Sequence, residues 1–191
     1  MENMKLENMK SLCNRAKAPF TFALTMLMLS TVTFAESNHN HYYDNDGATV
    51  RWNSIKGVIT APGIDNPVVG ISAGTLPWTT TRGKARVNLA TGAAYFEVEG
   101  LVLNGGNATG TTGPIDQVEG SLVCNAGTDN QVISTTDPVP LSSTGDAEFS
   151  GNIGAIPSPC ANPLFLIRIG PDRPGANQRW IATGAVRVGG N

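Results

Sequence analysis

The sequence has 191 residues, of which 40% are hydrophobic and 15% charged, and its formal net charge is −2. That length suits one ordinary domain, and since four of the 13 basic residues fall within the first 35, the remainder is more acidic still. A nucleic-acid partner is not expected, because binding phosphates requires clustered positive charge.

At the N-terminus, Lys5, Lys10, Arg15 and Lys17 lead into an uncharged run from Phe20 to Phe34 and a small-x-small triplet, Thr33-Phe34-Ala35. This pattern predicts a signal peptide over residues 1–35, a working chain starting at Glu36, and a periplasmic or extracellular location. Retention as an anchor is the rival expectation. Thr21, Thr25, Ser30, Thr31 and Thr33 dilute a run already short for a bilayer, which needs ~20 apolar residues, so no membrane attachment is expected after cleavage. Cys13 precedes the apolar run, whereas a lipidated cysteine would follow it. Cys124 and Cys160 remain as an even pair in an oxidising compartment, and a disulfide between them is expected.

Residues 36–47, ESNHNHYYDNDG, have no apolar periodicity and predict a flexible polar tail. They hold both histidines, His39 and His41, which with Asp44 and Asp46 are candidate ligands for copper, zinc or nickel, set against a solvated tail. A body without histidine cannot assemble a Ser-His-Asp triad, a Cys-His pair or a histidine metal site, and no cofactor is implied. Asp44-Asn45-Asp46-Gly47 resembles part of a calcium loop, but Tyr42 and Asn53 stand where its first acid and last glutamate belong.

From residue 48 to 191 the pattern predicts a single all-β domain. All 22 glycines and 11 of the 12 prolines lie beyond the leader, breaking the chain into short apolar stretches with no helical stripe. Strands are expected at Thr49–Trp52, Ser54–Thr60, Val68–Ser72, Gly83–Ala90, Ala93–Leu103, Gln117–Cys124, Gln131–Thr135, Asp146–Ile153, Leu164–Ile169 and Arg179–Val188. So many short strands indicate an antiparallel two-sheet sandwich or a barrel. Within it Ala85, Val87 and Leu89 alternate with Lys84, Arg86 and Asn88, and Ala94, Phe96 and Val98 alternate with Tyr95, Glu97 and Glu99. A two-residue turn at Thr91-Gly92 predicts a hairpin with Val87 opposite Phe96, Arg86 opposite Glu97 and Lys84 opposite Glu99. Val118, Gly120, Leu122 and Cys124 share one strand face, which places the disulfide at the end of a core-facing row.

Glu97 and Glu99 stand roughly 7 Å apart on one face, a spacing a glycoside hydrolase could use. Their basic partners argue instead for an exposed ion-pair ladder, since a neighbouring cation lowers the pKa that a general acid needs raised. Asp146 and Glu148 read the same way, with Ala147 and Phe149 pointing inward. No catalytic residue is assigned. Among Trp52, Trp78 and Trp180, the last falls in a strand pattern and is expected in the core. Trp78 follows a proline in a turn-like stretch and is, of the three, the candidate for an exposed recognition residue, set against the commoner buried core tryptophan. Asn107-Ala108-Thr109 fits a glycosylation acceptor.

Gly74-Thr75-Leu76-Pro77-Trp78, Arg82-Gly83-Lys84-Ala85-Arg86-Val87 and Phe96-Glu97-Val98-Glu99-Gly100-Leu101-Val102-Leu103 form an ordered pattern with Cys124, Gly145-Asp146-Ala147, Pro159-Cys160 and Trp180-Ile181-Ala182-Thr183-Gly184. This pattern resembles a set of uncharacterised secreted bacterial all-β proteins over roughly Gly70 to Val188. The resemblance implies export and supports the cysteine pairing, but it brings no chemistry. The glycine-rich strand rhythm alone is faintly similar to chordin-type repeats, whose histidine-containing motif is missing.

The expectation is a non-enzymatic secreted module, binding or structural, that meets a protein or polysaccharide through loops around Trp78 and Asn104–Gly113. A carboxylate-dependent polysaccharide hydrolase and a metal-binding His-x-His tail are the alternatives.

Overall fold

A computed structural model describes residues 48–61, 63–171 and 178–189, all of which belong to one compact unit. The predicted leader, the polar tail with His39 and His41, and the calcium-like stretch lie outside the described residues.

The described chain is all-β, with eleven strands and no helix: β1 (Thr49–Gly57), β2 (Trp78–Thr79), β3 (Arg82–Asn88), β4 (Ala93–Glu99), β5 (Val102–Leu103), β6 (Gln117–Cys124), β7 (Val132–Thr135), β8 (Val139–Pro140), β9 (Ala147–Asn152), β10 (Leu164–Ile169) and β11 (Trp180–Val188). Nine of them form one antiparallel sheet in the order β7-β6-β10-β11-β1-β3-β4-β9, with β8 also on β6, while β2 and β5 make a separate two-stranded sheet. Twisted sheets of this size curl on themselves. Phe96 of β4 therefore meets Phe165 of β10, four places away in the strand order, with ring centroids 5.9 Å apart. Phe149 stacks on Phe96, and Trp52 tilts against Phe165 at 5.4 Å, so the interior is an aromatic cluster.

Inward and outward faces follow the alternation seen in the sequence, but the register differs. Lys84 lies opposite Glu97, Arg82 opposite Glu99, Ala85 opposite Phe96 and Val87 opposite Ala94, two residues away from the tight-turn expectation. A shift of two keeps each side chain on its face while changing its partner. The cause is local: the Asn88 side chain accepts bonds from Ala90 N–H and Thr91 N–H, and Gly92 N–H reaches back to Asn88 O, so the turn is wider than two residues. The Asn152 amide also holds Thr91 O.

Other expected strands are redrawn. Val68–Ser72 is a tight turn closed by reciprocal Val68–Ile71 backbone bonds, not a strand. Ala93–Leu103 is broken at Gly100, whose φ of 63° suits glycine and whose Cα packs against Thr81. Thr49–Trp52 and Ser54–Thr60 merge into β1, and the short strands β2 and β8 were not expected from the pattern.

Cys124 and Cys160 are bonded, with Cα atoms 4.8 Å apart. Beside them Asn125 N–H donates to Ala161 O, and Ala161 N–H to the Asn125 side chain, pinning the approach to β10 onto the end of β6.

Candidate functional site

Trp78 is only 5% exposed, so of its two readings the structure has the core position and not the open recognition face. Its backbone pairs with Leu103 and its N–H donates to Val58 O, while β1 passes so closely that a Cβ at Gly57 would overlap Trp78 O. Held this way, the indole packs against Gly74, where a Cβ would sit 3.2 Å from Trp78 Nε1 and 3.1 Å from Ile181. What the indole does instead is wall a cavity of about 240 Å³, together with Leu76, Leu103, Thr112, Ile115, Ile169 and Arg179. The Asn104–Gly113 segment supplies Thr112, and its return is fixed by Leu103 N–H to Thr111 O and Gly110 N–H to Leu103 O. An apolar chamber lined also by two threonines, Thr75 and Thr112, and by Arg179 has the make-up of a binding pocket, though a small one. Trp180, buried as expected, donates its indole N–H to Asn66 O.

A second cavity, of about 510 Å³, opens over the outer side of β6 and β10 and is bordered by Gly70, Ile71, Ser72, Ile133, Arg168, Gln178 and Arg179. Beneath it lies a buried ion pair. Arg168 is 7% exposed, Glu119 is 4% exposed, and Arg168 Nη1 stands 3.7 Å from Glu119 Oε1. Arg168 donates Nε–H to Gln178 O at 2.8 Å, Nη2–H to Gln178 Oε1 at 2.9 Å and Nη1–H to Ser121 Oγ at 3.3 Å. Glu119 Oε1 has no hydrogen-bond partner. Burial pushes the Glu119 carboxyl up, with Arg168 pulling the other way, and burial likewise depresses the Arg168 guanidinium.

The carboxylates singled out from the sequence gather around a third cleft lined by Glu97, Glu99, Asp146 and Glu148. Glu97 accepts a bond from Tyr95 O–H and lies 3.2 Å from Lys84; Tyr95, then desolvation opposing it, then Lys84 leave its carboxyl below the usual range. Asp146 is lowered by bonds from the Thr144 hydroxyl, Gly100 N–H and the Ser142 hydroxyl. Glu99 is engaged by Arg82. The lowered Glu97 and Asp146 are bonded into the outer surface, whereas a general acid would need the opposite shift. Among the described residues no cluster of three or more His, Cys, Asp or Glu is placed to hold a metal ion.

The Glu119–Arg168 pair was missed from the sequence. Glu119 alternates with core residues and so reads as solvent-facing. The available signal was Arg168, a single cation inside the otherwise apolar run Leu164–Ile169. No helix long and apolar enough to cross a membrane occurs among the described residues. Comparison of the chain with protein-family models, curated proteins and solved structures finds no match.

Proposed function

We propose that this chain is an exported, non-enzymatic binding module that seats one apolar ring or side chain of a protein or polysaccharide in the chamber walled by Trp78. The observation that carries this reading is the chamber itself: about 240 Å³ of space against Trp78, Leu103, Ile115 and Ile169, with Thr112 and Arg179 able to orient a guest. The volume suits a single anchor group, and a buried anchor in a pocket is how a small contact delivers most of an interface's energy. The disulfide supports an oxidising compartment, and the leader pattern supports export. Resemblance to uncharacterised secreted bacterial proteins fits the same role. The test is titration of ¹⁵N-labelled protein with indole and with methyl glucoside, following the Trp78 indole N–H resonance. Saturable shifts at Trp78 with either ring are the expected result, and their absence with both overturns the reading.

A further inference from the structure

We propose that the cavity over Arg168 and Arg179 is a carboxylate-binding site, taking a small organic acid or the acid group of a single sugar unit. It is a different site from the Trp78 chamber and takes ligands of opposite character, although Arg179 borders both.

Arg168 is held in place before any ligand arrives. Three of its nitrogens are bonded, two to Gln178 and one to Ser121, and the side chain is more than nine-tenths buried while still bordering the cavity. Its ion-pair partner Glu119 stands 3.7 Å away without a hydrogen bond to it, and Glu119 Oε1 is unbonded. Arg179 donates Nη1–H to Ala73 O at 2.7 Å, which orients a second guanidinium onto the same cavity. Asp65, whose carboxylate interacts with Arg179, accepts bonds from Ser72 Oγ and Ala73 N–H, so both its oxygens have donors of their own. Two fixed guanidinium groups favour a planar carboxylate over a spherical anion, because the fork of donors matches its two oxygens.

The surroundings suit a small guest. Ile71 and Ile133 form an apolar rim, and about 510 Å³ leaves room for a carbon skeleton. Above the cavity the chain turns at Val69 and Gly70, with φ of 48° and 81°. A β-branched residue is strained at a positive φ. Gln131 Nε2–H, bonded to Val69 O, ties that turn to the segment leading into β7. The strained turn is thus fixed over the two arginines.

Calorimetric and NMR titration with sodium glucuronate and sodium acetate tests the proposal, with glucose and sodium chloride as controls. The expected result is saturable binding of at least one of the two acids with a Kd on the order of 1 mM, and none for glucose or chloride. Arg179→Gln is expected to weaken it about tenfold. Glu119→Gln, which frees Arg168 of its counter-charge, is expected to tighten it. Should Glu119→Gln fail to fold, Arg179→Gln decides alone. No saturation with either acid, equal binding of chloride, or an Arg179→Gln variant that binds unchanged overturns the proposal. Because Arg179 borders both cavities, acid-induced shifts at the Arg168 Nε–H, with the Trp78 indole N–H unmoved, assign the binding to this cavity, and shifts at the Trp78 indole alone overturn the proposal.

Discussion

Phe96 and Phe165 face each other across the curled sheet at 5.9 Å, and Gly120 of β6 occupies the space against both rings. A Cβ at Gly120 would lie 2.8 Å from Phe165 Cζ and 2.8 Å from Phe96 Cδ1. Gly120→Ala is therefore expected to destabilise the protein by about 1–3 kcal/mol through overpacking. Urea denaturation measures this. Combining it with Phe96→Leu should recover part of the loss, a non-additivity expected only if the ring is what the new methyl strikes.

How much of this was legible from the sequence depended on whether the cause was local. The Lys84–Asn88 and Ala94–Glu99 alternation gave the faces of β3 and β4, and the row Val118, Gly120, Leu122, Cys124 gave the inner face of β6 and its disulfide end. The register was not legible, because it turns on the Asn88 side chain bonding the two backbone amides after Leu89. The burial of Trp78 was not legible for a similar reason. Its burial comes from pairing with Leu103 and from close contact with Gly57, partners that no nearby residue reveals. The two-sided burial of β10 arises from long-range coverage, so Arg168 could be noticed as an oddity but not paired with Glu119.

The Cys124–Cys160 bond closes a loop across a sequence separation of 36. On the chain-entropy account a loop of that size contributes about 4 kcal/mol. Replacing both cysteines by alanine should lower stability by roughly that amount while leaving the β-sheet circular dichroism signature intact. Guanidinium titration of the variant against the oxidised parent gives the value. A difference near zero would mean that the Asn125–Ala161 bonds alone close the loop.

Glu119 makes a prediction with a definite sign in pH. Its folded-state pKa is raised by burial, so above the ordinary glutamate range the folded protein holds a proton that the unfolded chain has released. Stability then falls as pH rises from that range through the folded pKa. Glu119→Gln cannot titrate and lacks this decline. The difference in melting temperature, variant minus parent, should therefore grow with pH between about 4.5 and neutrality. The charge facing Glu119 is Arg168, which stays protonated throughout and adds no slope of its own. A difference that stays flat would place the pair in contact with water.

At β4, elsewhere along the outer face of the same sheet, the sign reverses, through Tyr95 and Glu97. The Tyr95 hydroxyl donates to Glu97, Arg86 lies 4.9 Å from the Tyr95 ring centre, and Glu148 stands across from Glu97 on β9. Burial first, then Glu97 and Glu148, raise the Tyr95 pKa, so its phenol should ionise later than an ordinary tyrosine when absorbance is followed into alkali. Subtracting a Tyr95→Phe titration isolates that step. Glu97 is depressed chiefly by the same hydroxyl, so its contribution is present above the ordinary glutamate range and lost as pH falls through its lower folded value. Tyr95→Phe should move the Glu97 carboxyl upward in an NMR titration and make the protein unfold at a higher pH on acidification. Lys84→Ala, which removes only a half-exposed partner, should cost less than about 1 kcal/mol and matter less in high salt. If Lys84→Ala shifts the acid transition more than Tyr95→Phe does, the exposed ion pair and not the phenol sets the charge on Glu97.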